Sequence, residues 1–383
     1  MGLQLLRNIL TRAFILGFLS QFTFMITFHI LIPTLPIYLS RLGSSEREIG
    51  VLIGAFAVSS LVLRPLVGRA LLTYSEKAIM MAGAFLFTVT FATFLVAPPF
   101  WPLLIVRIFQ GIGFAFFNTA SFALIVNIST EEHRGQSLSY FMVAPNISMA
   151  LAPSVGMAIV NRFDFTFLFI VGVGLSLCTL VIIQRLRRTE VLPSKDPPVE
   201  DRFFLNAKAL PSSGVVLLHN ICWSAMTAFF PLYAVKKGVT NPGFFFSALA
   251  MMMILGRALG GRILDVYQKE KIILIFLTTV IVAMTILTFS KTLPMFILVG
   301  LLWGTAAAFL IPAFMTYTLD RAGSSRGTAI GTYTTMADLG IALGPVIMGM
   351  IIHATSYQTM FLCLILTEVI NIMYFYFFVR RRA

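Results

Sequence analysis

Seven ionisable side chains lie inside long apolar stretches of this sequence: His29, Arg64, Arg107, His219, Arg257, Asp338 and Glu368. An ionised group at the centre of a bilayer costs about 3 kcal/mol on insertion scales, so each is a candidate for function. No nucleophile stands beside a base and an orienting acid, and the histidines are far apart without a paired carboxylate motif. A Gly-x-x-x-x-Gly-Lys-Ser/Thr phosphate loop is also missing, which argues against an ATP-driven machine, as the missing catalytic set does against a membrane-embedded enzyme. Cys178, Cys222 and Cys363 sit within apolar runs without metal-ligand spacing, so neither a zinc site nor a disulfide framework is expected. What these groups can do is bind and release protons or exchange ion-pair partners. A carboxylate that loses its cation or its water holds a proton more readily, and an imidazole titrates near neutral pH. Asp338 is therefore the first candidate to carry a proton and His29 the second, with a proton gradient as driving force and no cofactor.

The segments that hold these groups must be membrane spans. Of 383 residues, 58% are hydrophobic and 11% charged, whereas soluble domains carry about a quarter charged residues. Apolar runs fall near 13–39, 48–73, 77–97, 101–128, 135–160 and 165–184, then near 213–235, 242–266, 271–290, 293–319, 327–351 and 356–378. At about 20 apolar residues per span, the chain reads as an all-α integral membrane protein with twelve transmembrane helices. Residues 1–184 would form one six-helix bundle and 213–383 a second, joined by a linker over 185–212, the longest charged stretch. The first run follows Arg7 and Arg12, is too long for a signal-peptide core and lacks a cleavage site, so it reads as an uncleaved span.

The net charge of +13 could suggest a nucleic-acid partner, but the basic residues are scattered between apolar runs and form no continuous patch. Topology explains them better. With loops assigned alternately to two sides, 19 of the 28 Lys and Arg fall on one side and 6 on the other, the rest being Arg64, Arg107 and Arg257 within spans. By the positive-inside rule both termini and the linker are cytoplasmic.

The two halves resemble each other. Arg64, Gly68 and Arg69 recur 193 residues later as Arg257, Gly261 and Arg262, while Arg134, Gly135 and Pro153 recur 192 later as Arg326, Gly327 and Pro345. Pro36 and Tyr38 recur as Pro231 and Tyr233, 195 residues on. A six-span unit duplicated in parallel accounts for this. The same offset sets Asp338 opposite Asn146, each seven residues before its proline. At 1.5 Å per residue, Asp338 lies about 18 Å from the cytoplasmic start of its span, near the midplane.

Twelve spans as six plus six, the middle linker and the paired Gly/Arg signatures resemble the major facilitator superfamily over the whole chain. Its signature after span 2, Gly-x-x-x-Asp with a later glycine, is matched by Gly68 and Arg69, but Leu72 replaces the acid and Ser75 the second glycine. The second-half copy keeps the acid as Gly261 and Asp265. Span 4 carries Arg107-x-x-Gln110-Gly111, span 5 a degraded Ala152-Pro153 with Gly156, and span 11 a fuller Gly340-x-x-x-Gly344-Pro345 with Gly349. Glycine at this spacing lets helix backbones approach closely. Proline frees a carbonyl and permits a bend.

The resemblance implies that span 2 packs on span 11 and span 5 on span 8. Arg64 and Asp338 are then partners, while Arg257 faces Asn146 without a carboxylate, so that it either snorkels to the interface or offers its charge to an anionic substrate or to a shifting contact between the halves. Spans 1, 4, 7 and 10 would line the cavity, where His29, Gln110, Asn118, His219, Asn220, Trp223, Trp303 and Tyr317 are the candidate contacts of a mostly apolar pocket. Arg107 either makes polar contacts within its half or lines that cavity. Glu368, on peripheral span 12, would be structural and protonated, and His353 interfacial. Gly68, Arg69, Gly261, Asp265, Pro153 and Pro345 are the gating motif positions. The expected function is alternating-access secondary transport, with proton-coupled efflux of small amphipathic or drug-like molecules as first reading. The alternative is uptake of a small metabolite; a lipid flippase, a non-transporting sensor or an enzyme ranks lower. Small-molecule substrate and membrane lipid are the expected partners of a monomer in a bacterial inner membrane.

Overall fold

The computed structural model describes residues 10–130, 133–186, 206–260, 267–321 and 326–380, and these contain helices and no strand. Helix α1 is Arg12–His29, α2 Leu31–Arg41, α3 Glu46–Ala70, α4 Glu76–Thr93, α5 Trp101–Ile128, α6 Arg134–Phe141, α7 Val143–Arg162 and α8 Phe165–Gln184. After the linker come α9 Leu210–Lys236, α10 Gly243–Gly260, α11 Lys269–Phe289, α12 Leu293–Arg321, α13 Arg326–Ala354 and α14 Tyr357–Tyr374, which runs into a π-helical segment Phe375–Val379.

Eleven spans are long and apolar enough to cross a membrane among the described residues, with α1–α2 and α6–α7 each counting as one. The apolar α10 is the twelfth, so the chain is a multi-pass α-helical membrane protein as its hydropathy predicts. The two interrupted spans have a shared cause. Pro33 and Pro145 have no N–H to offer the carbonyl four residues back, and the breaks fall at Ile30 and Met142. Helix starts are fixed by short polar side chains. Thr11, Asp164 and Ser356 accept from Phe14, Phe167 and Thr359 backbone N–H groups at 3.2, 2.6 and 3.2 Å. Ser45 and Glu48 form a reciprocal capping box, with Glu48 Oε2 accepting from Ser45 N at 2.8 Å.

The chain divides into two compact units, Met1–Leu31 with Val58–Pro197 and Ile32–Ala57 with Pro198–Ala383. In the first, α1 packs on α7 and α8, and α4 on α5 and α8. In the second, α9 packs on α13 and α14, and α11 on α12 and α14. Spans 1, 5 and 6 thus repeat the neighbour pattern of 7, 11 and 12, and spans 3, 4 and 6 that of 9, 10 and 12, which is the structural form of the sequence repeat. Aromatic rings fill both interiors: Phe24 stacks on Phe117 at 3.8 Å, and Phe230 lies 4.1 Å from Phe245. The lipid-facing surface is equally apolar. On α14, Leu362, Leu366 and Met373 point outward, while Leu364, Glu368 and Asn371 are buried on the opposite face. With apolar groups on both sides, only the polar residues mark which face is inside.

Small residues set the helix spacing in the second unit. A Cβ at Gly340 would overlap the Leu217 carbonyl, one at Gly344 the Ile221 carbonyl, and one at Gly349 would sit 2.6 Å from the Glu46 carbonyl. Gly68 differs, since a Cβ there meets nothing within 4 Å. Gly68→Ala is therefore expected to leave thermal stability in detergent unchanged or to raise it by up to about 1 kcal/mol through helix propensity. A lowered melting temperature would show a contact at that position that the fold does not contain.

Candidate functional site

The interior of the first unit holds its polar groups in local hydrogen bonds. His29, at the end of α1, places Nδ1 2.8 Å from Ser148 Oγ on α7, and both side chains are buried. One helical turn on α5 brings buried Arg107 and Gln110 together, the guanidinium donating to Gln110 Oε1. The Nε2 group of Gln110 stays without a partner. Further along α5, Asn118 Oδ1 accepts from Gln21 Nε2 at 3.3 Å, and Ser121 donates to Gln21 Oε1 at 2.9 Å. Asn118 is thus already engaged, whereas Gln110 offers a buried donor. Leaving such a group unsatisfied costs about 1–3 kcal/mol, a cost that a ligand's acceptor atom would remove.

In the second unit, Trp223 on α9 and Trp303 on α12 meet edge to face with centroids 6.2 Å apart. The fully buried Trp303 indole N–H has no acceptor, and neither does the Tyr317 hydroxyl, whose ring carries the Arg321 guanidinium at 4.1 Å. Asn220 packs against Gly340 on α13, so it supports the α9–α13 contact. His219 departs most from its expected setting. Its Nδ1 lies 2.8 Å from Glu368 Oε1, with 4% and no side-chain exposure respectively. The sequence reading placed Glu368 at the periphery and found no carboxylate paired with a histidine; the fold joins these two residues, 149 positions apart, in the core. The one available signal was that Glu368 and Asn371 share a helix face.

Arg64 and Arg257 are half-buried on α3 and α10, and Asp338 is half-buried on α13. Arg69 is exposed, as is Gly68. Pro153 and Pro345 lie buried within α7 and α13, and a Cβ at Gly50 would overlap the Pro345 carbonyl. Gly261 and Asp265 fall outside the described residues, as does the linker over 187–205. A cluster that the sequence did not reveal occupies one end of the second unit. Glu46 Oε1 accepts from Lys236 Nζ at 3.2 Å and from the Tyr357 hydroxyl at 3.4 Å, and Lys236 lies 4.5 Å from the centroid of the Tyr357 ring.

The protein is a multi-pass helical one whose interior holds its polar groups in local hydrogen bonds, beside buried donors on Gln110, Trp303 and Tyr317 that have no partner. The sequence pattern of the Major Facilitator Superfamily matches residues 17–336 and 243–383, and the chain belongs to that superfamily; it is a transporter and not an enzyme. It is 26% identical over 355 residues to the staphylopine export protein of Staphylococcus aureus (strain Mu50 / ATCC 700699), covering 87% of this chain and 88% of that one. To the quinolone resistance protein NorA of Staphylococcus aureus (strain MSSA476) it is 24% identical over 335 residues, 84% of each. Among solved structures, the nucleoside transporter NupG superposes with a TM-score of 0.81 at 14% identity, over 96% of this chain and 98% of that one. A bacterial homolog of the human lysosomal transporter Spinster gives 0.75 at 14%, over 95% of each. These likenesses establish the two-bundle fold.

Proposed function

We propose that this transporter is a proton-driven exporter of small amphipathic or drug-like molecules, working by alternating access. The observation that carries the reading is that relatives matched over 84–87% of the chain are, by name, an export protein and a drug-resistance protein. The interior supports it. In the second unit an aromatic corner at Trp223 and Trp303, with buried donors on Trp303 and Tyr317, suits molecules that are mostly apolar and bear a few acceptors, and in the first unit Gln110 offers one further buried donor. Asp338 carries the coupled proton in this scheme, with His29 as alternative carrier. Arg64, Arg107 and Arg257 supply the compensating charge, and the residues around Gly68, Pro153, Asp265 and Pro345 gate the two ends. His219 and Asn220 belong to the wall of α9 rather than to the substrate surface.

In this reading the protein works as a monomer in a bacterial inner membrane, as two bundles over 1–184 and 213–383, and contacts lipid but no nucleic acid. Its 19-to-6 distribution of basic residues puts both termini and the 185–212 linker in the cytoplasm. A membrane-impermeant thiol reagent applied to whole cells should label a cysteine substituted for Lys237 and spare one substituted for Pro198, in a background lacking Cys178, Cys222 and Cys363. Reversed labelling would invert the orientation. Export itself is tested in liposomes holding the purified protein, by following ethidium, an aromatic cation, under an imposed pH gradient.

A further inference from the structure

The buried pair on α9 and α14 has no part in the scheme above. Glu368 is fully enclosed and His219 keeps 4% exposure. Asn371 Nδ2 donates to Glu368 Oε2 at 3.1 Å, and also reaches the Val215 carbonyl at 3.1 Å. Oε2 accepts from the amide, and one proton lies on the 2.8 Å line between Nδ1 and Oε1. With Nε2 also protonated, the pair is an imidazolium facing a carboxylate or a neutral imidazole facing a carboxyl, and either has zero net charge. Loss of the Nε2 proton leaves a neutral imidazole donating from Nδ1 to a carboxylate, with one negative charge in an apolar interior, since no Lys or Arg touches Glu368 among the described residues.

The surrounding elements supply no substitute. Cys222 on α9 lies beside Glu368 and donates to the Leu364 carbonyl at 3.5 Å. On α12, Phe314 lies 5.7 Å from the imidazole and Tyr317 packs on Phe375. The titratable residues of α11 are Lys269, Glu270 and Lys271, all in its first turn, and α14 adds Tyr357, Cys363 and Tyr374. On α13, Tyr333 and Asp338 lie within the span and Arg326 and His353 near its ends, and the π-helical segment adds Tyr376. Cys222 Sγ is within hydrogen-bonding reach of the Glu368 carboxylate; none of the others whose side chains are described is hydrogen-bonded to the pair. The exposed edge of the pair belongs to His219, which keeps 4% side-chain exposure against none for Glu368.

We propose that His219 and Glu368 bind one exchangeable proton between them, and that this pair loads and unloads it during the transport cycle in addition to the Asp338 position; the second clause rests on the proton-driven reading above. A hydrogen bond that merely tied α14 to α9 would work as well with an amide at 368, and that difference can be measured. The purified full-length protein is titrated by infrared difference spectroscopy as wild type, Glu368→Gln, His219→Gln and Asp338→Asn, and each form is assayed in liposomes for uphill movement of ethidium under a pH gradient. The expected result is a titrating carboxyl or imidazolium signal that Glu368→Gln removes, His219→Gln shifts to a different midpoint and Asp338→Asn retains. In liposomes, Glu368→Gln should equilibrate ethidium but lose its uphill movement. A titration identical in wild type and Glu368→Gln, or full uphill movement in that variant, overturns the proposal, and so does loss of folded protein in both position-219 and position-368 variants. A wild type that moves no ethidium uphill would count against proton-driven export, and the infrared result would still decide whether the pair binds a proton.

Discussion

Asp338→Asn is expected to abolish uphill accumulation of ethidium while leaving exchange down its gradient intact. A proton-driven cycle needs a group whose charge differs between the two access states. Asp338 lies 12 residues into α13 from Arg326, about 18 Å along the helix, and half-buried. The amide copies what the first unit already has at Asn146, so the substitution is isosteric at a position whose counterpart tolerates it, and folding should survive. The measurement is counterflow and pH-driven accumulation on the same liposomes. Retained accumulation in Asp338→Asn with loss in His29→Gln would transfer the role to α1. His29 is already committed to Ser148 at 2.8 Å, which makes that outcome the less expected one.

Gly344→Val should strongly lower stability. A Cβ at 344 would overlap both the Ile221 carbonyl and Ser224 Oγ, so α9 and α13 would have to separate along an extensive contact. Backbone atoms cannot yield as a flexible side chain does, and overpacking of this kind costs about 1–3 kcal/mol or more. The variant should be recovered in low yield, with a melting temperature well below that of Gly68→Ala measured in the same detergent. Equal melting temperatures for the two would mean that α9 and α13 do not approach as closely as the structure has them.

The elements of the fold were legible because lipid imposes a length on every span. Hydropathy located the helices but read the spans near 13–39 and 135–160 as unbroken, and the Gly340–Gly344 spacing pointed to a close backbone approach that α9 supplies. Which face of a helix points inward was much less legible. In α14 the outward Leu362, Leu366 and Met373 are as apolar as the inward Met360 and Leu364, since lipid and protein core make the same demand. Glu368 read as peripheral because the resemblance sets span 12 at the outside of the fold, and the apolar pattern of α14 held nothing to correct that. The pairing of His219 with Glu368, and that of Glu46 with Lys236, join residues 149 and 190 positions apart, and local spacing carries no trace of either. The Gln110 and Trp303 donors were visible as residue types, but their lack of an acceptor is a property of packing.

Proton-driven export is tested most directly by recording ethidium and internal pH together in liposomes of the purified wild-type protein. When the compartment into which ethidium is to be moved is made acidic, ethidium should concentrate there, and an ethidium gradient imposed without a pH difference should drive protons in the opposite direction. Ethidium that only equilibrates, with an internal pH matching that of protein-free liposomes, would contradict it.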